Sequence, residues 1–251
     1  MKIEKIIKKN KNVYQIKFSD NTSLNFYDDT IIKYNLLVNK NVDEATYKEA
    51  LLFNQKAEAY YKAINYINQK LRTKKEIEKK LKDYNKDIVN EVIAKLEEQK
   101  YLNDDIYIKS YINDQINLTL KGPKKIVYEL NKLGFKNVDK YMSDIDDEVW
   151  NMKIEKIISK KEKSNHNLSK SFLIRKIKGD LINLGYSPDL FQDILDNYSF
   201  IENMEIVKKE VNKFLRKYQN KYSEEELKYK LKNYLYSKGF EISNIDDLLN
   251  T

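Results

Sequence analysis

The stretch Ile126-Val-Tyr-Glu-Leu-Asn-Lys-Leu-Gly-Phe135 decides the fold, because it has the pattern of an amphipathic helix and its end. Its first residue and the leucine four positions later share one helix face. Gly134 can adopt the left-handed conformation that closes a helix, and the aromatic residue after it can fold back on the last turn. The pattern recurs twice, with its glycines 51 and 54 residues apart, at 177–186 and 231–240. The sequence therefore predicts a tandem array of similar helical repeats.

Each repeat has the pattern of three helices. An earlier repeat at about 57–100 lacks the glycine but keeps a capping box, Thr73 with Glu76. Gly122-Pro123 is a strong start signal, since proline suits the first helical position. A helix is also expected from 43 to about 69, and a break near Asn54 remains open. The other helices are expected near 104–118, 123–133, 138–150 (separate or merged with the next), 147–161, 170–184, 188–198, 203–218, 224–238 and 242–249.

The first 40 residues have a different pattern. Val13 to Phe18 alternates apolar and polar residues, a polar turn follows, and Leu24 to Tyr27 is apolar again. This pattern predicts a β-hairpin. Two strands alone are marginally stable, so a third strand is expected within residues 1–8.

The predicted fold is mainly α: tandem three-helix repeats in an extended curved array, preceded by a small N-terminal β-hairpin or sheet element. The charged fraction of 34% and a mean hydropathy of -0.75 suit an array in which each repeat has its own small core. The predicted division is the β element at 1–42, a linking helix with repeat 1 at 43–100, repeat 2 at 101–142, repeat 3 at 143–198 and repeat 4 at 199–251.

Composition excludes several classes of protein. The absence of cysteine excludes disulfides, a thiolate nucleophile and a zinc–cysteine cluster. No apolar run approaches the length of a membrane-spanning helix, and the charged first nine residues do not suit a signal sequence. We expect a cytoplasmic monomer that does not bind membranes.

The net charge of +8 is unevenly distributed along the chain. Residues 1–142 contain 28 Lys and Arg against 20 Asp and Glu, whereas residues 143–251 contain 19 of each. A basic half favours a polyanionic partner such as nucleic acid. The abundance of Lys, Asn and Ile can also reflect the base composition of a genome, so the charge leaves both interpretations open.

No motif indicates catalysis, a cofactor or a metal. His166 is the one histidine, and its polar surroundings predict a solvated loop without catalytic partners. The acidic stretches at 103–105 and 144–147 are interpreted as helix N-caps rather than metal ligands. The first turn after Gly122 carries Lys124 and Lys125 and can be read either as a solvated face or as an acceptor for a partner's phosphate.

Most of the 20 tyrosines are expected to pack in thin helical cores. Tyr107 and Tyr111, one turn apart on the same predicted helix, are the pair we consider for stacking on single-stranded nucleic acid.

Several stretches in this order resemble the RecX regulatory proteins, which are tandem three-helix repeats. The resemblance is densest over 57–142 and includes a late segment from Lys228 to Phe240. The β element followed by four repeats is similar to the longer Gram-positive members. The matching stretches are Arg72-Thr73 with Glu76-Ile77 and Lys80-Leu81, Tyr101 to Asp105, Tyr107 and Tyr111, Lys121-Gly122-Pro123, and Leu130 to Phe135.

This chain departs from the family pattern at four positions. Lys100 stands where glycine is usual, and Asn103 replaces an acid. Ile108 stands where a small residue is usual, and Gln115 where arginine is often found. The last change removes a charge that could touch a partner.

The resemblance implies a non-enzymatic regulator of RecA recombinase in homologous recombination, DNA repair and the SOS response. Such proteins bind RecA–DNA filaments and restrain filament growth, ATP hydrolysis and strand exchange, and several also bind single- or double-stranded DNA. The alternative is a helical-repeat nucleic-acid-binding or adaptor protein unrelated to RecA. The candidate contact residues for the filament or DNA are Arg72, Tyr107, Tyr111, Lys121, Lys124 and Lys125.

Overall fold

The computed structural model describes residues 1–165, 167–201 and 204–240. The fold is mainly α, with a three-stranded antiparallel sheet at the N-terminus, as predicted. The chain divides into two compact units, the N-terminal unit (1–108) and the C-terminal unit (109–251). The finer division into four repeats stays a prediction.

The N-terminal unit begins with the sheet and continues with helices. Its elements are β1 (Ile3–Lys8), β2 (Val13–Phe18), β3 (Ser23–Tyr27), α1 (Asp28–Lys33), α2 (Glu44–Ile67), α3 (Lys74–Lys80) and α4 (Lys86–Glu98). The boundary between the units falls within α5 (Asp104–Leu118). The C-terminal unit contains α6 (Pro123–Leu133), α7 (Asp139–Met142), α8 (Asp147–Ser164), α9 (Lys170–Leu184), α10 (Pro188–Asn197), α11 (Met204–Tyr218) and α12 (Glu224–Ser237).

The sheet has the strand order β1-β2-β3, which confirms the hairpin and the third strand. Asn21 takes the left-handed conformation in the polar turn, with φ of 65°. The Asp20 carboxylate accepts the Thr22 N–H at 3.0 Å and closes this turn. One face of the sheet packs with α1 and the start of α2 around a core of Ile3, Ile16, Phe18, Phe26, Ile31, Leu36, Val42 and Ala50.

Helix α2 is continuous, so the possible break near Asn54 is wrong. The buried Asn54 amide bonds outside its own helix: Oδ1 accepts the Tyr27 N–H at 2.8 Å, and Nδ2 donates to the Asn25 carbonyl at 2.9 Å. Because the side chain pairs with β3, it does not compete for the backbone of α2. The Thr30 hydroxyl of α1, a helix that the sequence analysis missed, donates to the same Oδ1 at 3.2 Å. Asn54 therefore fastens the β element to the helices.

The second core of the N-terminal unit lies between α2, α3 and α4. The predicted capping box is confirmed: the Thr73 hydroxyl accepts the Glu76 N–H at 3.2 Å, and the Glu76 carboxylate accepts the Thr73 N–H at 2.8 Å. These bonds start α3 where Ile77 and Leu81 can be fully buried. The core consists of Ala59, Ala63, Ile67, Ile77, Leu81, Ile88, Val89, Val92, Ile93, Leu96 and Leu102.

Helix α4 closes in the left-handed manner without a glycine. Lys100 has φ of 61°, and the next N–H, that of Tyr101, donates to the Leu96 carbonyl at 2.9 Å. A non-glycine residue in this conformation costs about 1–2 kcal/mol. The departure at Lys100 therefore keeps the helix ending and stores strain in it.

Most of the helices predicted from residue 104 onward are confirmed with small differences. The bounds of α5, α6 and α9 are as predicted. The bounds of α8, α10, α11 and α12 differ by three residues or fewer. The helix expected at 242–249 lies outside the described residues.

The expected helix from 138 to about 150 is wrong, both as one helix and as a merger. Helix α7 ends at Met142, and α8 begins separately at Asp147. The reason is a cap: the Asp146 carboxylate accepts the Glu148 N–H at 2.9 Å and starts a new helix.

All three predicted glycine endings are confirmed. The glycine φ angles are 101°, 93° and 79° at Gly134, Gly185 and Gly239. In each ending, the aromatic N–H donates to the leucine carbonyl five residues earlier, and the glycine N–H donates to the carbonyl three residues earlier. These are the two bonds of a Schellman ending. The aromatic residues Phe135, Tyr186 and Phe240 are buried.

Two of these endings also dock against the start of another helix. In the α9–α6 joint, the Gly122 N–H donates to the Leu184 carbonyl at 2.7 Å and the Lys124 N–H donates to the Gly185 carbonyl at 3.0 Å. Gly122 has an ordinary φ of -89°, so its conformation does not require glycine. A Cβ there would lie 2.7 Å from the backbone carbon of Gly185, which explains why glycine is needed.

The α12–α9 joint is built in the same way from hydroxyl groups. The Ser169 hydroxyl donates to the Lys238 carbonyl at 2.7 Å, and the Ser171 hydroxyl donates to the Gly239 carbonyl at 2.8 Å. A Cβ on Gly239 would lie 2.7 Å from the Ser169 Oγ. In both joints, the carbonyl end of one helix meets the start of another, so two of its last carbonyls find partners.

Two glycines of α9 and its ending allow a matched test of the joint. Gly185→Ala should lower the free energy of unfolding by about 2 kcal/mol or more, because Gly185 has positive φ and its Cβ would meet the Lys125 backbone. Gly179→Ala should raise it by about 0.5–1 kcal/mol, because Gly179 is helical with no neighbour within 4 Å. Urea melts of the full chain measure both changes, and similar changes for the two variants would contradict the joint.

Candidate partner interface

The candidate contact residues lie in both compact units. Each group is described within its own unit. Arg72 and Tyr107 belong to the N-terminal unit, and Tyr111, Lys121, Lys124 and Lys125 to the C-terminal unit.

Arg72 is held by contacts between α2 and α3. Its side chain is 10% exposed. The guanidinium stacks on the Tyr66 ring, 3.5 Å from the centroid, and Nε donates to the Tyr66 carbonyl at 3.3 Å. Nη1 donates to the Glu76 Oε1, also at 3.3 Å. Arg72 thus joins the end of α2 to the capping box of α3, and little of its surface is left for a partner.

Tyr107 lies near this ion pair. Burial raises the pKa of its half-buried hydroxyl, the Glu76 charge raises it further, and the Arg72 charge opposes the rise. The pKa of the Glu76 carboxyl is lowered: burial favours the neutral form, but the Thr73 N–H and the Arg72 guanidinium outweigh it. Tyr107 therefore lies within electrostatic range of the Arg72–Glu76 ion pair.

A second cluster joins Tyr111 to Lys121. The Lys121 Nζ and the Tyr111 hydroxyl both donate to the Glu129 Oε2, each at 2.7 Å. Burial would raise the pKa of Glu129, but these two bonds and the charges of Lys121 and Lys125 lower it. The Lys121 side chain is 29% exposed and that of Glu129 is 24% exposed. Lys121 and Tyr111 therefore connect α5, the following loop and α6.

Lys124 and Lys125 follow Pro123 in the first turn of α6. Lys124 is exposed and Lys125 is half-buried. The Gly122 and Lys124 N–H groups already bond carbonyls at the end of α9, so these two backbone donors are not open to a phosphate. Phosphate binding by the side chains of Lys124 and Lys125 stays a prediction. A partner can therefore meet this turn through its lysine side chains, and the Lys124 ammonium is the more exposed of the two.

Lys153 is a structural cation that the sequence analysis missed. This buried side chain donates to the Thr119 carbonyl at 2.8 Å and to the Gln115 carbonyl at 3.2 Å. Burial lowers the pKa of Lys153, and the nearby Lys156 charge lowers it further. Lys153 thereby satisfies carbonyls at the end of α5. Its position in a charged helix resembles that of any surface lysine, so spacing alone could not have identified it.

The acidic N-cap interpretation is supported at both stretches. The Asn103 side chain accepts the Ile106 N–H at 3.0 Å, and Asp146 caps α8. Within the described ranges, no group of three or more His, Cys, Asp or Glu residues could hold a metal ion. His166 lies outside the described residues.

In the part of the chain that the structure describes, no helix is long and apolar enough to cross a membrane.

Comparison with known proteins identifies the family. The model of the first three-helix domain of RecX matches residues 59–96, and the model of the third matches residues 201–249. Over 99% of its length, the chain is 31% identical to the regulatory protein RecX of Streptococcus pneumoniae serotype 19F (strain G54), of which it covers 98%. The chain belongs to the RecX family.

Further RecX proteins agree with this assignment. The RecX-family chain is 32% identical to the regulatory protein RecX of Bacillus mycoides (strain KBAB4), over 87% of this chain and 84% of that protein. A crystal structure of regulatory protein RecX is similar with a TM-score of 0.66 and 27% identity, over 78% of this chain and 99% of that one. The RecX structure from Lactobacillus salivarius gives a TM-score of 0.54 with 31% identity, over 57% of this chain and 95% of that one. The predicted resemblance is confirmed.

Lys121 and Lys124 should differ in their effect on stability. Lys121→Gln should cost about 1 kcal/mol at neutral pH, because it leaves a partly buried carboxylate without its cation. Lys124→Gln should change stability by less than about 0.5 kcal/mol, because this side chain is exposed.

The pH dependence of the Lys121 effect has a defined sign. The folded pKa of Glu129 is lowered, so the stabilisation is fully present above the ordinary glutamate pKa of about 4.3 and is lost as the pH falls through the folded value. Denaturant melts of wild type and Lys121→Gln between about pH 3 and 7 measure the difference. A difference that grows at acidic pH would contradict the cluster.

Proposed function

We propose that this chain is a non-enzymatic regulator that binds RecA–DNA filaments and restrains filament growth, ATP hydrolysis and strand exchange. The observation that carries the proposal is the match to regulatory protein RecX over 99% of this chain. The proposed setting is recombinational repair in the cytoplasm, with the SOS response as its context. The proposed form is a monomer acting on a filament.

The geometry of the candidate residues supports binding through side-chain charge. The Lys124 ammonium is exposed at the start of α6, whereas the backbone donors of that turn are occupied by α9. Arg72 and Lys121 have roles inside their units, with carboxylate partners at 3.3 Å and 2.7 Å. In this proposal, they position surfaces, and Lys124 with Lys125 contacts the filament.

The repeat organisation supports an action that needs no chemistry by the regulator. A RecA filament consists of identical subunits, so it presents the same surface at regular intervals. A chain of several helical repeats can contact more than one of these subunits. Linking such contacts on one chain raises their effective concentration, so that weak contacts together give useful affinity. Restraint then follows from holding neighbouring filament subunits in place.

A RecA assay tests the proposal directly. Titrating the full chain into RecA filaments on single-stranded DNA should lower the rate of ATP hydrolysis at stated salt. Lys124→Gln with Lys125→Gln should require several-fold more protein for the same inhibition, because two cations near the phosphate backbone are lost. The charge-matched control is Lys132→Gln with Lys136→Gln, two exposed lysines close in sequence, which should change the inhibitory concentration by less than about twofold.

A second measurement compares the affinity of the full chain for RecA–DNA filaments with its affinity for the same DNA without RecA. Tighter binding to the filament supports a RecA regulator. Unchanged ATP hydrolysis together with equal binding to filament and bare DNA would contradict it and favour a nucleic-acid-binding protein unrelated to RecA.

A further inference from the structure

An aromatic cleft lies between α11 and α12 of the C-terminal unit. Its volume is about 390 Å³, in the size range of small-molecule sites. None of its lining residues was among the predicted contacts. The lining residues are Lys213, Phe214, Lys217, Tyr218, Tyr222, Lys230 and Tyr234.

The aromatic rings of the cleft form one connected group. The Phe214 ring lies 4.8 Å from that of Tyr218 and 5.1 Å from that of Tyr234, and the Tyr218 ring lies 6.0 Å from that of Tyr222. Phe214 belongs to the core of this part of the chain, whereas the three tyrosines are half-buried. The group therefore extends from the core to the surface, where Tyr218 and Tyr222 can offer ring faces to a planar ligand.

Lysines surround these rings on both helices. Lys217 lies over the Tyr218 ring at 5.2 Å from its centroid, and Lys230 lies over the Tyr222 ring at 4.6 Å. Lys213 has a 68% exposed side chain and is 3.7 Å from the Glu210 carboxylate. All three lysines are exposed, and none of the lining residues is acidic. The cleft therefore combines positive charge with aromatic surface.

Glu210 has its own partner in the wall of the cleft. Its carboxylate accepts the hydroxyl of Tyr234. Burial, with this bond and the Glu210 charge, raises the pKa of Tyr234 to about 12. Tyr234 is thus held in the wall of the cleft. The half-buried rings of Tyr218 and Tyr222 keep surface for a ligand, and the exposed lysines that lie over them have flexible side chains that can move aside.

We infer that this cleft binds a single strand of nucleic acid, with a base stacked on Tyr218 and Tyr222 and the flanking phosphates held by Lys213, Lys217 and Lys230. Stacking on aromatic side chains needs exposed base faces, which a duplex hides and a single strand offers. An acidic peptide would use the lysines but would leave the ring faces without planar partners. Cations on both helices suit a strand whose phosphates lie on either side of the stacked base.

The inference goes beyond the proposed action on RecA, because it assigns a nucleic-acid site that works without RecA. It also differs from the expectation drawn from net charge. The cleft lies in residues 143–251, whose charges balance, yet folding places three lysines around one aromatic group.

The test of stacking uses the full chain, an end-labelled oligothymidylate of about 20 nucleotides and no RecA. Fluorescence anisotropy should show about tenfold weaker binding for Tyr222→Leu, which keeps apolar bulk but removes the ring. Tyr222→Phe keeps the ring and should bind within about twofold of wild type. Tyr229→Leu is the matched control on α12, since Tyr229 is 68% exposed and outside the cleft, and it should also bind within about twofold.

The test of charge compares two triple variants. Lys213→Gln, Lys217→Gln and Lys230→Gln together should reduce the slope of log affinity against log salt by about 2, since each contact to a single strand contributes about 0.7. The control triple, at exposed lysines outside the cleft lining, should change the slope by less than about 0.5. The control substitutions are Lys208→Gln, Lys209→Gln and Lys232→Gln.

Thermal melts first establish that the variants remain folded, and Tyr222→Phe supplies the comparison if Tyr222→Leu does not fold. Competition by unlabelled single strand, and weak competition by duplex or by thymidine monophosphate at equal phosphate concentration, supports the inference. Equal effects of the cleft and control variants, weak binding by Tyr222→Phe, or equal competition by duplex or mononucleotide would overturn it. Because RecA takes no part, this result is independent of the test of RecA regulation.

Discussion

The docking of a glycine-ended helix onto the start of another helix is the interaction on which the C-terminal unit depends. Every helix ends with carbonyls that lack partners within the helix, and every helix begins with N–H groups in the same condition. At the α9–α6 joint, these two sets satisfy each other through bonds of 2.7 and 3.0 Å. Such an approach is possible only where no Cβ stands between the backbones, at Gly122 and Gly185. Glycine therefore has two functions here: its left-handed conformation ends α9, and its lack of a Cβ lets the start of α6 approach closely.

The joint has consequences for how the chain can meet a partner. The start of α6 resembles an anion-binding helix end in sequence, yet its backbone donors are already bonded. At the start of α9, by contrast, the contact uses side chains: the Ser169 hydroxyl bonds the end of α12 and does not cap its own helix. A partner that binds at the start of α6 must therefore use side chains. This explains why the exposed lysine after Pro123 and the lysine-lined aromatic cleft of α11 and α12 are the features that we assign to partners.

Local features of the fold could be predicted from the sequence, whereas contacts between distant residues could not. The left-handed glycines, the capping box at Thr73 and the hairpin each depend on residues within a few positions of one another. The joint between Gly122 and Gly185 depends on a tertiary approach, and the sequence pattern contains no sign of it. Asn54 shows the same limit, because a residue read as a possible helix break proved to bond a neighbouring strand.

The ion pairs of the candidate site could not be predicted from the sequence either. The resemblance to RecX proteins selected Arg72 and Lys121 as candidate contacts, but only the structure reveals that Glu76 and Glu129 hold them. The aromatic cleft was missed because its tyrosines come from α11, the following loop and α12, and sequence spacing within one helix could not join them.

Amide hydrogen exchange at the start of α6 tests the central claim most directly. The N–H groups of the first helical turn normally face water and exchange fast, unless a partner holds them. The joint predicts that the Gly122 and Lys124 amides exchange as slowly as the interior of α6, at Leu130. The Asp87 amide, which a local side-chain cap holds at the start of α4, is the comparison and should exchange much faster. Exchange at Gly122 and Lys124 as fast as at Asp87 would contradict the account.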